Sequence, residues 1–357
     1  MPAPDFAELE RVLQGREPPQ RVHLVELGID QEVLRALAEQ VLDMTWIPSA
    51  RDQDESYWQQ RVMVYHRLGY DCVPAWPVWL HHPPVREWLA ADTAGLSRGD
   101  RHWVDEKQGV IASRVDFDRF PWDAITADPL ICNWVASHLP PGMKMTVSAT
   151  LFEHVMENLL GYEGLFYLLH DEPALVASVF NRWAQIVYRY YESTIGLDGV
   201  GAIFHADDLG YKTSLLVSPA VLRRHVFPWL KKYAVLAHAH GKMFWYHCCG
   251  NVYRSGVIKD LIDDVQIDAF HAFQDVILPI AEFQACYGRR VACLGGVDVD
   301  CLARLDKAPL RTYVRDILDH CMPGGRFALG AGNTVTNYVP LDNYLAMRDE
   351  AHHWPHG

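Results

Sequence analysis

The feature that most constrains the fold is the alternation of short β-rich apolar runs with amphipathic helical stretches along the 357-residue chain. Repeated strand and helix is the sequence pattern of a parallel sheet with helical crossovers. Eight is the strand number of the (β/α)8 barrel, so eight such runs predict an α/β fold of the TIM-barrel type. The runs are Val22 to Leu27, Val73 to Leu80, Met143 to Ala149, Val200 to Phe204, Met243 to His247, Ala269 to Phe273, Val291 to Leu294 and Phe327 to Leu329.

The chain is predicted to form one domain over residues 1–357, because no low-complexity tract, Gly/Ser linker or fixed-period repeat divides it. Residues 1–20 are predicted to form a short helical preface. About sixty residues separate the second and third runs and include Trp103, Trp122 and Trp134. We interpret this interval as an insertion between strands 2 and 3, over one barrel mouth. Such insertions serve as lids or binding walls, and a dimerisation surface explains this one equally well.

Charge and hydropathy exclude several classes of partner. The formal net charge is -13, with 32 Lys and Arg against 45 Asp and Glu, so nucleic acid is not expected as a partner. The sequence has neither a secretory signal nor an apolar stretch of the length that crosses a bilayer, and we expect a cytoplasmic protein without a membrane partner. Eight dispersed cysteines indicate reduced thiols. Phosphate-binding glycine motifs, a GxSxG elbow and HExxH are absent from the sequence.

Candidate site residues follow the strand ends, because the reactive groups of parallel α/β barrels lie at the carboxyl ends of strands. The polar residues at these positions are Glu26, Glu153, His154, Asp207, Asp208, His247, Cys248, Cys249, His271, Asp298 and Asn333.

The fifth run ends in a pattern that predicts metal binding. His247 and Cys249 stand at positions i and i+2 of an extended segment, so their side chains point to the same side and can hold one zinc ion. The third ligand is open among Asp207, Asp208, Glu153 and Cys248. In the alternative interpretation, His247 makes hydrogen bonds and both cysteines fill space.

The adjacent carboxylates Asp207 and Asp208 follow the fourth run and should emerge at the barrel mouth. Neighbouring residues of a strand face opposite sides, so we expect one of them to act as a ligand or a general acid or base. The other then holds the loop. A loop-capping role without catalysis is the alternative for the pair.

Five segments together resemble the uroporphyrinogen decarboxylase superfamily, which also contains the corrinoid-linked methyltransferases. The segments are Glu10 to Val22 with its E-R-V-L-x-G-x-x-P-x-x-R-V pattern, Asp207 to Gly210 followed by Ser218-Pro219, His247 to Asn251, Gly295 to Asp298, and Pro323 to Asn333 followed by Pro340 to Met347. The resemblance covers nearly the whole chain and implies a (β/α)8 barrel.

The chain departs from the family pattern at two places. True uroporphyrinogen decarboxylases carry an arginine motif of R-x-A-G-R type, whereas this chain has Val25 to Ile29 without an arginine pair. The methyltransferase branch is similar in its H-x-C motif, here His247 and Cys249. Its third zinc ligand is a cysteine in a late P-G-C segment, and the corresponding residue here is Ala331.

The resemblance implies a methyltransferase or demethylase of the corrinoid-linked type. It would act on a small methylated substrate, with zinc as cofactor and a corrinoid carried by a partner protein. The resemblance also permits a homodimer. The second hypothesis is a metal-free decarboxylase of a small carboxylic acid or a tetrapyrrole-like substrate, and the third is a non-enzymatic corrinoid- or tetrapyrrole-binding protein. The catalytic candidates are Asp207, Asp208, His247, Glu153 and His271, and the metal candidates are His247 and Cys249 with Asp207 or Asp208.

Overall fold

The computed structural model describes residues 3–48, 54–85, 87–105, 107 and 109–354, of which residues 129–131 are described by their backbone alone. Eleven strands are present in this part of the chain. They are β1 (Cys72–Ala75), β2 (Trp79–Leu80), β3 (Glu87–Ala91), β4 (Asp100–Val104), β5 (Thr126–Ala127), β6 (Lys144–Val147), β7 (Val200–Asp208), β8 (Met243–Cys249), β9 (Ala269–His271), β10 (Ala292–Val297) and β11 (Phe327–Ala331).

Helices fill the intervals between the strands, and none among the described residues is both long and apolar enough to cross a membrane. Two segments are π-helical, Val155–Leu160 and Leu261–Val265, and Met322–Gly324 forms a 3-10 turn. The α-helices are α1 (Phe6–Leu13), α2 (Gln31–Gln40), α3 (Glu55–Arg67), α4 (Arg114–Arg119), α5 (Pro129–His138), α6 (Phe152–His154), α7 (Tyr162–Asp171), α8 (Pro173–Thr194), α9 (Pro219–His225), α10 (Phe227–Ala239), α11 (Val257–Asp260), α12 (Ile280–Tyr287), α13 (Val299–Arg304), α14 (Lys307–Cys321) and α15 (Leu341–His353).

Seven strands form one all-parallel sheet in the order β1-β6-β7-β8-β9-β10-β11. Each of these strands falls on one of the predicted runs, and helices separate them along the chain. The α/β class and the parallel sheet are therefore confirmed. The sheet curls as in a TIM-barrel-like fold, but the closed barrel of eight strands is not confirmed.

The eighth predicted strand, Val22 to Leu27, is not a regular strand. Its backbone pairs with β11 through an isolated bridge between Leu24 and Leu329. On its other side, no backbone hydrogen bond to β1 is found among the described residues. Side chains make the contacts there: His23 Nδ1 lies 2.7 Å from Asp71 Oδ2. Buried polar side chains thus occupy the space in which strand pairing would close the barrel.

Two apolar clusters lie on opposite faces of the sheet. The larger one joins the sheet to the surrounding helices. The smaller one, here the inner cluster, lies on the concave face and is made of Phe6, Leu9, Leu13, Val25, Leu27, Cys72, Ala202, Phe204, Ala206, Met243, Trp245, Ala269, Ala292, Leu294 and Ala328. Side chains alternate along β7 between the two clusters, as expected of a strand that is buried on both faces.

Helix α1 covers the inner cluster at the amino-terminal ends of the strands, which agrees with the predicted helical preface. The Asp5 side chain caps the helix by accepting a hydrogen bond from the Glu8 N–H at 2.8 Å. The Phe6 ring stacks on Trp245 with 6.1 Å between centroids. A Cβ at Gly201 would lie 2.3 Å from the Phe6 ring, so glycine is needed there for the helix to approach the sheet.

The insertion between β1 and β6 contains two small antiparallel sheets, β2 with β5 and β3 with β4. In the second of these, Trp88 pairs across the strands with Trp103, and both side chains are exposed. The predicted excursion between the second and third runs is therefore present, and its role as a lid, binding wall or dimerisation surface stays a prediction.

Replacement Phe6→Ala is expected to lower the free energy of unfolding by about 3 to 5 kcal/mol, because it leaves a cavity between α1 and Trp245. Urea unfolding followed by tryptophan fluorescence measures the change. Phe166→Ala, which removes an exposed ring of the same size, should change stability by less than about 0.5 kcal/mol. Equal effects of the two replacements would show that α1 does not seal the inner cluster.

Candidate metal centre

The parallel register of β7 and β8 brings three candidate ligands to one edge of the sheet. Ala206 pairs with His247 and Asp208 pairs with Cys249, so the side chains of Asp208, His247 and Cys249 share the concave face. One ligand atom from each of these three lies within 4.8 Å of the other two. Ala206 packs in the inner cluster directly below them. The strand ends thus form a small polar site on an apolar base.

The three side chains differ in exposure and chemistry. His247 is buried, Cys249 is partly buried, and the Asp208 side chain is 41% exposed. His247 Nε2 lies 3.5 Å from Cys249 Sγ and 3.8 Å from Asp208 Oδ1. Asn333, which follows β11, donates a hydrogen bond from Nδ2 to Cys249 Sγ at 3.2 Å. The cluster therefore offers one nitrogen, one sulfur and one oxygen donor, and the partly exposed Asp208 carboxylate lies on its solvent side.

A chain of two hydrogen bonds fixes the tautomer of His247. His271 Nε2 lies 3.0 Å from the carbonyl oxygen of Ala331, which can only accept, so this nitrogen carries the proton. In a neutral imidazole the other nitrogen is then bare, and His271 Nδ1 accepts a hydrogen bond from His247 Nδ1 at 2.7 Å. His247 Nε2 is left without a proton and faces Cys249 and Asp208. This is the state that a metal-ligating histidine requires.

Burial keeps both histidines neutral. It lowers the pKa of His271 to about 4. Burial first, and the neighbouring His271 second, lower the pKa of His247 well below its ordinary value. The acidic members shift the other way: burial and the charge of Asp208 raise the pKa of Cys249, and burial raises that of Asp208. Burial thus disfavours a charge on each of these four side chains.

Asp207 lies outside this cluster, on the opposite face of β7. Its Oδ1 atom accepts hydrogen bonds from the backbone N–H groups of Leu151 and Glu153, both at 3.0 Å, and Oδ2 lies 3.2 Å from His205 Nε2. Asp207 therefore anchors the loop after β6. Of the two predicted carboxylates, the structure brings Asp208 to His247 and Cys249.

The remaining candidates lie at different distances from the cluster. His271 contacts His247 directly. Glu153 lies in α6, which follows β6, and its charge contributes to the raised pKa of Cys249. Cys248 is buried in the larger apolar cluster, between the sheet and the helices, and its thiol donates to the Cys249 carbonyl oxygen at 3.3 Å. It therefore points away from the side that His247 and Cys249 share.

Asn333, one of the polar residues predicted to follow a strand end, lies beside Cys249. One further residue of the site went unrecognised as a site residue in the sequence. Ala331 acts through its backbone carbonyl, for which a sequence carries no signal. Its N–H donates to Glu26 Oε2 at 3.0 Å. Glu26 is buried on the first run, and burial raises its pKa to about 8.

Among solved structures, a methyltransferase from Methanosarcina mazei has the same overall fold, with a TM-score of 0.66 over 97% of both chains and 16% sequence identity. An intracellular xylanase from Thermoanaerobacterium saccharolyticum matches with a TM-score of 0.36 and 14% identity over 65% of this chain and 76% of its own, which is too distant to support an argument. No protein-family model matches the sequence. A search of curated proteins likewise finds no match. The likeness to the methyltransferase concerns the fold.

Replacement Glu26→Gln is expected to change how stability depends on pH. The pKa of Glu26 rises from 4.5 to about 8 on folding, so the folded protein holds a proton that the unfolded chain has released. This contribution to stability is complete below about pH 4.5 and is lost as the pH rises towards 8. Between about pH 5 and pH 8 the native chain should lose about 1.4 kcal/mol per pH unit relative to Glu26→Gln. Urea unfolding of both proteins across that interval measures this, and parallel curves would contradict it.

Proposed function

We propose that the chain is a zinc-dependent methyltransferase of the corrinoid-linked type, with zinc held by Asp208, His247 and Cys249. The observation that supports this most directly is the cluster itself: three donors within 4.8 Å, one of them an imidazole nitrogen whose tautomer leaves its lone pair free. Catalytic zinc sites use three protein ligands and keep a fourth position open. Asp208 then takes the place that the late cysteine holds in the resembling family.

The residues around the cluster fit this ion. His271 supplies the hydrogen bond that orients a ligating histidine, and Asn333 supplies one to the ligating sulfur. Bound zinc would lower the pKa of an acceptor thiol and so supply a thiolate, the better nucleophile. The cluster lies at the carboxyl ends of β7 and β8 with Asp208 partly exposed, so an acceptor can approach it from this edge of the sheet.

The reaction is then transfer of a methyl group to the acceptor sulfur. A methylated corrinoid would supply the methyl group, Asp208, His247 and Cys249 would hold the zinc that binds the acceptor thiol, and the thiol proton would be released. We propose that a partner protein carries the corrinoid. The resemblance of the His247 to Asn251 segment to the corrinoid-linked methyltransferases supports this. Glu153 at the mouth is the candidate to accept the proton.

A carboxy-lyase is the second candidate, favoured by one observation. The Asp208 carboxyl group lies 3.8 Å from His247 Nε2 and burial raises its pKa, so it is a candidate to deliver a proton to the carbanion that loss of CO2 leaves behind. This reaction needs no metal. Turnover by metal-free protein would therefore favour it.

Zinc content separates the two candidates. The purified protein is expected to hold one zinc ion per chain by elemental analysis after dialysis against a weak chelator. Cys249→Ala should lose this zinc. The matched control is Cys248→Ala, which removes the adjacent thiol on the opposite face and should keep the full complement. Equal zinc loss in the two variants, or a zinc-free native protein, would contradict the proposed site.

Methyl transfer is tested with free methylcobalamin and a small thiol. The zinc-loaded protein is expected to demethylate the corrinoid, followed by its visible absorbance, and Asp208→Asn should retain the fold but weaken both zinc binding and transfer. Retention of full zinc and full activity in Asp208→Asn would exclude Asp208 as the third ligand.

A further inference from the structure

The two positions at which the sequence departs from the family pattern contact each other. Glu26 lies in the run that carries the arginine motif in true uroporphyrinogen decarboxylases, and Ala331 stands in place of the late cysteine. They are far apart in the chain, yet the Ala331 N–H donates to Glu26 Oε2 at 3.0 Å. Neither residue belongs to the ligand cluster.

Glu26 is held in a buried polar environment. Its Oε1 atom accepts a hydrogen bond from the Tyr70 hydroxyl at 3.1 Å, and that hydroxyl lies 2.6 Å from the Tyr344 hydroxyl. All three side chains are buried. The Tyr70 hydroxyl thus fixes the carboxyl group of Glu26 through Oε1, which leaves Oε2 in place for the Ala331 N–H. A movement of Ala331 would leave this buried N–H without an acceptor, so the carboxyl group can hold the Ala331 backbone in one position.

Ala331 in turn holds the two histidines. Its carbonyl oxygen receives the Nε2 proton of His271, and the bare Nδ1 of His271 receives the Nδ1 proton of His247. Each bond depends on the one before it, because a neutral imidazole has one N–H to donate. Displacement of the Ala331 carbonyl would remove the reason for His271 to be protonated at Nε2. The tautomer of His247 would then no longer be determined.

We propose that Glu26 is a positioning residue for His247, acting through Ala331 and His271 to keep His247 Nε2 unprotonated and directed at the open side of the cluster. This assignment rests on the proposed function in so far as Nε2 of His247 is there to bind zinc. The run Val22 to Leu27 then has a role beyond packing. It pairs with β11 at Leu329 and directs the Glu26 carboxyl group to the Ala331 N–H at the end of that strand. The resembling methyltransferases have a zinc-binding cysteine at the position of Ala331. In this chain the backbone carbonyl of Ala331 instead accepts a hydrogen bond from His271.

The test replaces the carboxyl with groups that keep or remove the hydrogen-bond acceptor. Glu26→Met has a similar volume and removes the acceptor, whereas Glu26→Gln keeps an oxygen for the Ala331 N–H. Tyr344→Phe is the matched control, because it removes a hydroxyl from the same buried network without contacting Ala331. Glu26→Asp, whose carboxyl is one methylene farther from Ala331, provides a second variant if Glu26→Met does not fold.

The first readout is the 15N spectrum of the histidine rings in the metal-free protein. The native chain, Glu26→Gln and Tyr344→Phe should each show His247 as one tautomer with Nε2 bare. Glu26→Met and Glu26→Asp should show a mixture of tautomers. An unchanged, single tautomer of His247 in folded Glu26→Met or Glu26→Asp would overturn the proposal, as would an equal mixture in Tyr344→Phe.

The second readout is the affinity for zinc alone, measured by competition with a chromophoric chelator. Loss of an outer-shell partner weakens metal binding about 10- to 100-fold, and we expect a loss of this size in Glu26→Met with native affinity in Glu26→Gln and Tyr344→Phe. Native affinity in Glu26→Met would overturn the positioning role. If the native chain itself binds no zinc, the proposed function fails, and the ring spectra of the metal-free proteins still decide the role of Glu26.

Discussion

The hydrogen bond between the Nδ1 atoms of His247 and His271 determines the chemistry of the site. Two imidazole nitrogens can share a hydrogen bond only if one of them is bare, and the Ala331 carbonyl decides which. Burial makes protonation of either ring costly, so neutrality and tautomer are set together. Because of this one contact, the nitrogen facing Cys249 and Asp208 is a lone-pair donor.

The register of the parallel strands positions the other side chains of the site. These strands could be predicted from the sequence. The alternation of apolar runs and helices identified all seven strands of the parallel sheet, since fully buried strands leave a strong signal. The run Val22 to Leu27 is apolar like the other seven runs, but its backbone makes no hydrogen bonds to β1 among the described residues. Whether an apolar segment has two strand neighbours depends on the side chains opposite it. Here these include Asp71 and Tyr70, which lie far away in the sequence.

The candidate ligand pair His247 and Cys249 followed from a spacing of two residues, which is a local property. The choice between Asp207 and Asp208 could not be made in the same way, because it depends on which face of β7 is concave and how β7 pairs with β8. The role of the Ala331 carbonyl group as hydrogen-bond acceptor for His271 could not be predicted from the sequence, since every residue has a backbone carbonyl. Glu26 was visible as a polar residue in an apolar run, and only its contact with Ala331 links it to the site.

The most direct test of the account is X-ray absorption at the zinc edge of the loaded protein, because it counts sulfur ligands. Zinc held by Asp208, His247 and Cys249 should show one sulfur at about 2.3 Å, from Cys249, with one imidazole nitrogen and oxygen ligands at about 2.0 to 2.2 Å. Two sulfur ligands would require a second cysteine in the site, and no sulfur ligand would place the ion elsewhere. Either result would contradict a centre made of Asp208, His247 and Cys249.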